Sequence, residues 1–299
     1  MIAQQVTRRV AEELRREIEE LLGSVGFLCR IFGRGKTQQS LGKKLSEHPE
    51  KYSNDGKLVQ DVIGIRVVLY FPEDIPIVQE ILCGKYRHDP SSSTIDRPDT
   101  SIFSVTRHNL IFKIPPPYER EIVTATHGAP IDCTFEVQIR TILSEGWHEV
   151  DHDLRYKQKA NWIGHDDLSR SFNGIVATLE TAEWSMRKIL DDLAYRQYKE
   201  MKWGAMLYSV LRMRISSSLS GILSAEFDRD TVLAKEMLRV DRRVLFRSLT
   251  MLAPRIPITL DNLVFLWNHV SIGNENVSKL CPQILRETFE AAFPLATKG

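Results

Sequence analysis

The sequence predicts an α+β fold, with a mixed β-sheet flanked by helices and followed by an all-helical C-terminal extension. In the first half of the chain, apolar stretches of strand type alternate with stretches of helical type. From about residue 142 onward, every periodic apolar pattern has helical spacing. Two domains are therefore expected, one over residues 1–165 that contains the sheet and one over residues 166–299 that contains only helices.

The first domain begins with a helix, because Val6, Val10, Leu14, Ile18 and Leu21 form one apolar stripe at helical spacing. Further along, runs rich in β-branched residues predict strands, and polar segments with a capping residue predict helices. In chain order these elements are a strand in "VGFLCRIF", a helix in "TQQSLGKKLSEH", a strand in "DVIGIRVVLYF", a helix in "DIPIVQEILCGK", and strands in "SVTRHNLIFKI" and "IDCTFEVQIRT". A polar loop over residues 86–101 precedes the last two strands, and a proline-containing segment separates them.

The C-terminal extension contains one long apolar seam with alternating spacings of three and four residues. Its members are Phe172, Ile175, Leu179, Ala182, Met186, Ile189 and Leu193. Such a seam packs against another helix, either in the core of the domain or in an oligomer. A basic stretch, "RVDRRVLFR" at residues 239–247, follows later and is typical of a solvated helix face, with phosphate binding as the alternative.

Composition favours a soluble, cytoplasmic protein. The chain of 299 residues has a net charge of +1 and 42% hydrophobic residues, and it has no apolar run near the roughly 18 residues that a membrane span needs. The near-neutral charge argues against bulk, nonspecific binding to nucleic acid. The four cysteines are far apart and show no CxxC spacing, so they are expected to be reduced thiols rather than zinc ligands or disulfides.

The segment "FGRGKTQQSLGKKL", residues 32–45, invites comparison with a phosphate-binding loop. That loop requires GxxxxGK[ST], but the residue five positions before Gly35 is Arg30, so the pattern fails. What remains is a cluster of positive charge without any acidic residue between Leu21 and Ser46. The cluster consists of Arg30, Arg34, Lys36, Lys43 and Lys44. It predicts either a phosphate-binding segment or a solvated basic face.

The strand "FEVQIRT" has one apolar and one polar face, because successive side chains of a strand point to opposite sides. Phe135, Val137 and Ile139 share one side. The other side carries Glu136, Gln138 and Arg140. Three polar side chains in a row predict either the wall of a polar cleft or the solvent face of an antiparallel sheet.

The segment "WHEVDH" contains HExxH, the pattern of zinc-dependent proteases. It places His148 and His152 one helical turn apart, with Glu149 as the possible base. No third ligand follows at the spacing of a metzincin. A zinc hydrolase is therefore the least favoured of the enzymatic interpretations.

Three segments together resemble a known family: "RGKTQQSLGKKL", "DVIGIRVV" and "FEVQIRTILSEGWHEVDHDLRYK". They are similar to the synthetase domain of RelA/SpoT alarmone enzymes, over roughly residues 25–160. The resemblance implies a nucleotidyltransferase-like synthetase domain that transfers pyrophosphate from ATP to the 3′-hydroxyl of a nucleotide, as in (p)ppGpp synthesis in the stringent response. His148 falls at a variable position of the family pattern, so the resemblance also implies that HExxH is accidental.

The resemblance assigns the donor site and the catalytic acids. It implies that the ATP phosphates are held by Arg34, Lys36, Thr37, Ser40 and Lys44. It further implies that Asp61 and Glu136 are the catalytic acids and bind Mg²⁺, and that Arg66 stacks on adenine. Cations around the phosphates and carboxylates for the metal are the groups that pyrophosphoryl transfer requires.

The acceptor side departs from the family. The resemblance gives cleft roles to Gln138, Arg140 and His152, but the family's GYxSxH-like segment corresponds here to "IFSVTRHNLIF", which lacks the tyrosine. Phe103 and His108 are the residues that this segment offers to an acceptor. A guanine nucleotide is the expected acceptor, and the alternatives are the 3′ end of tRNA or an adenine nucleotide, as in toxin-type relatives.

Partners beyond the substrates remain open at the level of sequence. The helical half could contact another copy of the chain, an antitoxin or a regulatory partner. No hydrolase domain is expected ahead of the synthetase motifs, since they begin almost at once. A non-catalytic module that senses nucleotides or binds a partner is the alternative of a different class.

Overall fold

A computed structural model gives the fold of the chain. It describes residues 2–37, 39, 42, 43, 46, 58–60, 62–96, 106–126 and 130–293. Four of the site residues predicted above, Ser40, Lys44, Asp61 and Phe103, lie outside the described residues, as does most of the helix predicted in "TQQSLGKKLSEH".

A five-stranded mixed sheet organises the first half of the chain. In sequence order its strands are β1 (Cys29–Gly35), β2 (Ile63–Leu69), β3 (Thr94–Ile95), β4 (His108–Lys113) and β5 (Thr134–Thr141). Their order in the sheet is β1-β2-β5-β4-β3. The central pair β2 and β5 is parallel, while the other neighbours are antiparallel. The predicted α+β fold with a mixed sheet is thus confirmed.

In the part of the chain that the structure describes, the sheet is accompanied by the helices α1 (Ile2–Ser24), α2 (Ile75–Lys85), α3 (Pro116–Thr126) and α4 (Ile142–Asp151). Helix α3 forms within the segment that the sequence predicted only as a proline-containing connection. Its prolines stand at the first turn, where a helix does not need the missing N–H groups. Helix α4 follows β5 directly, and a reciprocal cap between Thr141 and Ser144 marks its start.

One face of the sheet is apolar and the other is polar, as the alternation in β5 predicts. Phe135, Val137 and Ile139 are buried, whereas the three polar residues between and beyond them are partly exposed. Helix α2 lies on the apolar side: Tyr86, at its end, packs against Phe112 at 5.9 Å and Phe135 at 5.3 Å between ring centroids. The polar face is therefore left available for a site.

Glycines allow α1 to approach the apolar face of β1 closely. A Cβ atom at Gly35 would lie 2.8 Å from the backbone nitrogen of Arg8, and one at Gly33 would lie 2.9 Å from the carbonyl oxygen of Ala11. Gly35 is the glycine that suggested a phosphate loop. In the structure it provides room for a helix backbone.

Contacts divide the chain into two compact units. One comprises Met1–Glu20 and Cys29–Glu183, and the other comprises Leu21–Leu28 and Trp184–Gly299. The division falls inside a long helix, α5 (Asp166–Lys199), whereas the predicted boundary at residue 165 lies just before it. The domain assignment from sequence stays a prediction.

Every regular element described between residues 142 and 293 is helical, as expected for the extension. After α5 come α6 (Trp203–Leu211), α7 (Gly221–Arg229), α8 (Thr231–Leu238), α9 (Arg242–Leu252), α10 (Leu260–Trp267), α11 (Glu275–Leu280) and α12 (Gln283–Ala292). In the second unit, the rings of Phe27 and Phe246 stack with centroids 4.0 Å apart. No helix among the described residues combines the length and apolar character needed to cross a membrane.

The predicted seam of the extension lies on α5. Ile175, Met186, Ile189 and Leu193 are exposed along it. Phe172 differs, because its ring packs against Trp147 with centroids 5.2 Å apart.

Candidate active site

A cleft of about 310 Å³ lies on the polar face of the sheet. Strands β1, β2 and β5 form its floor, and the end of α4 with the turn after it forms one wall. The lining residues are Phe32, Gly33, Arg34, Gly64, Ile65, Arg66, Glu136, Gln138, Glu149, His152, Asp153 and Lys157. The cleft therefore gathers residues from three strands and from a segment more than 80 positions later in the chain than β2.

The register of the strands explains why these side chains meet. Gly64 of β2 pairs with Arg34 of β1 on one side and with Glu136 of β5 on the other. Paired residues of neighbouring strands point to the same face of a sheet. Because Gly64 has no side chain, nothing from β2 stands between the arginine and the glutamate.

A second row of paired residues lies two positions further along the strands. Arg66 is paired with Phe32 of β1 and with Gln138 of β5. Phe32 is 54% exposed, whereas its neighbour Ile31 is buried. An exposed aromatic ring in a polar cleft offers a surface on which a base can stack.

Two carboxylates of α4 hold the guanidinium group of Arg66. Its Nη1 atom donates to Oε1 of Glu145 at 2.5 Å and also to Oε1 of Glu149. Positions four residues apart share one face of a helix, so α4 presents both carboxylates to the same arginine. Glu145 additionally accepts a hydrogen bond from Nη1 of Arg140 at 3.0 Å.

The three polar side chains of β5 form a hydrogen-bonded chain along the floor. Nε2 of Gln138 donates to Oε2 of Glu136 at 3.0 Å, and Nη2 of Arg140 donates to Oε1 of Gln138 at 3.3 Å. Burial lowers the pKa of Arg140, although the nearby Glu145 opposes that shift. The hydrogen bond from Arg140 fixes the amide group of Gln138, and this amide in turn orients the carboxylate of Glu136.

The wall beyond α4 is one turn of π-helix, His152–Tyr156, and it is anchored by Arg155. Nε of Arg155 donates to Oδ1 of Asp151 at 2.6 Å. The guanidinium carbon lies 5.6 Å, 5.9 Å and 4.9 Å from the ring centroids of Trp147, Trp162 and Phe172. These contacts hold the turn so that His152, Asp153 and Lys157 border the cleft.

The HExxH pattern does not build a zinc site. Burial, with smaller contributions from Arg140 and Arg66, lowers the pKa of His148 to about 4. His152 contacts Asp153 at 2.9 Å, and Glu149 pairs with Arg66. Within the described part of the chain, no group of three or more His, Cys, Asp or Glu side chains is placed to hold a metal ion.

The sequence from residue 33 to residue 161, which includes most of the cleft, matches the family described as the region found in RelA/SpoT proteins. Residues 33–161 are a RelA/SpoT-type domain. Comparison of the chain with curated proteins gave no match.

Several solved structures are similar to the chain at low identity. The small alarmone synthetase 1 of Bacillus subtilis is 20% identical, and the similarity covers 63% of this chain and 94% of that protein with a TM-score of 0.45. The small alarmone synthetase 2 of the same organism is 19% identical over 62% of this chain and 96% of its own, with a TM-score of 0.45. A GTP pyrophosphokinase family protein from Streptococcus pneumoniae is 20% identical over 63% and 91%, with a TM-score of 0.42.

The RelA/SpoT-type domain brings five of the predicted site residues to the cleft. They are Arg34, Arg66, Glu136, Gln138 and His152. Arg140 lies on the same face of the sheet and reaches the cleft through Gln138. Lys36 and Thr37 follow β1, and the backbone N–H of Lys36 donates to the carbonyl of Val62 at 2.8 Å. The lysine thus stands beside the residue that follows Asp61 in the chain.

His108 is not brought to the cleft of the RelA/SpoT-type domain. Its neighbour Asn109 pairs with Gln138, so His108 points to the opposite face of the sheet. There its Nε2 atom lies 2.7 Å from Oε1 of Gln79 on α2, and burial lowers its pKa. The sequence placed His108 correctly on a strand but could not give the face, because that face depends on the register of β4 with β5.

Sequence reasoning gave no cleft role to seven of the residues that line the cleft, among them Phe32, Glu149, Asp153 and Lys157. The cleft position of Phe32 was predictable, since it stands on the polar side of β1 between Arg30 and Arg34. The other three named residues lie in the last segment that carried the family resemblance. Glu149 stands on α4, four residues after Glu145, whereas the positions of Asp153 and Lys157 depend on the π-helical turn. No spacing rule for a regular helix would have placed Asp153 and Lys157 at the cleft.

The described residues of the RelA/SpoT-type domain are compatible with Mg²⁺. Glu136 offers a half-exposed carboxylate in a polar cleft, which suits a hard cation that prefers oxygen ligands. Asp61, the second expected ligand, lies outside the described residues. A site with few protein ligands suits Mg²⁺ shared with the phosphates of a nucleotide and with water.

Proposed function

We propose that this RelA/SpoT-type domain is an ATP-dependent pyrophosphokinase that acts on a guanine nucleotide, GTP or GDP. The observation that supports this proposal best is the placement of Glu136 in one row with Arg34, across a glycine that leaves the floor open and beside the row of Arg66 and Gln138. Positive side chains suit a triphosphate, and a carboxylate beside them suits a metal or a hydroxyl proton.

In the proposed reaction, the 3′-oxygen of the acceptor attacks the β-phosphorus of ATP. The bond between that phosphorus and the oxygen bridging to the α-phosphate breaks, AMP leaves, and the acceptor gains a 3′-pyrophosphate. The hydroxyl proton passes to a nearby base, and Glu136 is the described residue with a carboxylate on the cleft floor. Mg²⁺, when bound, would neutralise the charge of the phosphate oxygens.

The domain's own residues supply positioning and charge. Arg34 and Lys36 would hold the phosphates, because one stands on the cleft floor and the other at the end of the same strand. Arg66 and Phe32 would provide the stacking surfaces for bases. Positioning and charge neutralisation account for most of the catalysis in this class of reaction, since the transferred group needs little covalent help.

The test incubates the full chain with Mg²⁺ and γ-labelled ATP, together with GDP, GTP, AMP or bulk tRNA in separate reactions. We expect label in the guanine nucleotide, and we expect Glu136→Gln and Asp61→Asn to abolish it while thermal unfolding stays unchanged. Glu19→Gln, which removes an exposed carboxylate on α1, is the charge-matched control and should retain activity.

Other outcomes of the panel identify the alternatives. Label in tRNA or in AMP alone would replace the guanine acceptor by that substrate and keep the donor chemistry. Measurable ATP binding without transfer to any acceptor would favour a silent nucleotide-sensing module. Full activity in both carboxylate variants would contradict the assignment of the acids.

A further inference from the structure

We propose that Glu149 competes with the donor nucleotide for Arg66 and thereby sets the affinity of the donor site. This inference rests on the proposed function, because it requires ATP to bind in the cleft. It gives a role to the glutamate of the HExxH pattern, which belongs to no zinc site among the described residues and which the proposed chemistry does not use.

The two glutamates that hold Arg66 are not equivalent. Glu145 has a side chain only 14% exposed, and it also pairs with Arg140 at 3.0 Å. The side chain of Glu149 is 54% exposed and borders the cleft. Withdrawing Glu145 would take its carboxylate from Arg140, whose side chain is only 16% exposed, and this costs far more than withdrawing an exposed carboxylate into water. Glu149 is therefore the partner that a ligand can displace.

The position of Arg66 brings the nucleotide against Glu149. Its side chain is 22% exposed at the cleft, and its guanidinium already donates to two carboxylates. A base that stacks on this group, or a phosphate that binds to it, must share the arginine with Glu149. A carboxylate in the same place also repels a triphosphate through its negative charge.

When the nucleotide has displaced Glu149, the charges around Arg66 and Arg140 still balance. When Glu149 turns to water, Glu145 stays between Arg66 and Arg140, and the nucleotide replaces the lost negative charge. The exchange thus replaces one exposed ion pair by another without stranding a charge. The free-energy cost of this exchange is small, and it moderately reduces the affinity of the cleft for the nucleotide.

The experiment measures binding of α,β-methylene-ATP to the full chain by calorimetry in the presence of Mg²⁺. Glu149→Gln keeps the size of the side chain and removes its charge. We expect the Kd to fall by roughly two- to fivefold, the range of an exposed ion pair. The matched control is Glu19→Gln, because Glu19 is likewise one of two glutamates on a single arginine, Arg15, and does not line the cleft. Its Kd should equal that of the unmodified protein.

A double-mutant cycle with Arg66→Ala separates competition from plain repulsion. If Glu149 acts through Arg66, Glu149→Gln should not improve binding in the Arg66→Ala background. An equal improvement in both backgrounds would overturn the proposal, as would an unchanged or higher Kd for Glu149→Gln alone. If the unmodified protein neither binds the analogue nor transfers label, the proposed function is wrong, and the proposed competition is wrong with it.

Discussion

Gly64 on β2 lies directly between Arg34 on β1 and Glu136 on β5, in one row across the polar face of the sheet. A Cβ atom at Gly64 would lie 3.7 Å from Nε and 3.8 Å from Cγ of Arg34, which is ordinary contact. The strand could therefore accept a side chain at this position. The absence of one keeps the floor of the cleft open.

Filling this gap should harm activity without harming the fold. We expect Gly64→Val to lower kcat/KM for pyrophosphate transfer roughly 10- to 100-fold, because its methyl groups would displace Arg34 or the bound phosphates by about 1 Å. β-branched residues suit strands, so the melting temperature should stay equal or rise. Gly64→Ala, with its single methyl group, should cause a smaller loss. Full activity of the valine variant would show that this row does not contact the substrate.

Gly35 should respond in the opposite way. A methyl group there would lie within 2.9 Å of three backbone atoms of Thr7 and Arg8, and the helix cannot yield as a flexible side chain would. We expect Gly35→Ala to lower the free energy of unfolding by about 1–3 kcal/mol in urea titration. Gly146→Ala is the control, since nothing lies within 4 Å of its Cβ position on α4. That variant should be more stable by about 0.5–1 kcal/mol.

His148 should make the fold sensitive to mild acid. Burial first, and the nearby arginines second, lower the pKa of His148 to about 4, whereas the unfolded chain has the ordinary value near 6.5. Between those two values the unfolded state binds more protons, so this contribution to stability is complete above pH 6.5 and is lost as the pH falls towards 4. The slope is at most about 1.4 kcal/mol per pH unit, and it is smaller because the ring keeps some contact with water.

The measurement is the free energy of unfolding between pH 4 and pH 7 for the unmodified protein and for His148→Gln. The variant should lose the part of the slope that belongs to this histidine. Superimposable pH profiles would contradict the assignment.

Arg155 should stabilise the π-helical wall of the cleft. Replacement by alanine removes the hydrogen bond to Asp151 and the contacts with three aromatic rings, so we expect a loss of about 1–3 kcal/mol in the free energy of unfolding. Arg155→Lys keeps the charge but not the planar fork, and it should recover only part of the loss. Chemical denaturation followed by tryptophan fluorescence reports the change directly, because Trp147 and Trp162 lie beside the guanidinium. Equal stability of all three proteins would argue against an anchoring role.

Local patterns predicted the parts of the sheet that alternate strictly. The polar face of β5 follows from the period of a strand, which is independent of the partner strands, and β2 was predicted from its run of β-branched residues. The order of the strands was not predictable, because it depends on contacts between distant segments. His108 shows the consequence: its strand was predicted, but the pairing of Asn109 with Gln138 decides which way it points. Helix α3 was missed because its prolines suggest a break, although they favour a helix start.

The antiparallel register of β1 and β2 does more than align two strands. A shift of β1 by one residue against β2 would reverse the faces of β1 and turn Arg30 and Arg34 from the polar face into the apolar layer, away from the carboxylates of the cleft. The wrong alignment is therefore penalised by two misplaced charges. Arg34, which is proposed to bind the nucleotide, therefore also helps to keep β1 in the register that makes the cleft.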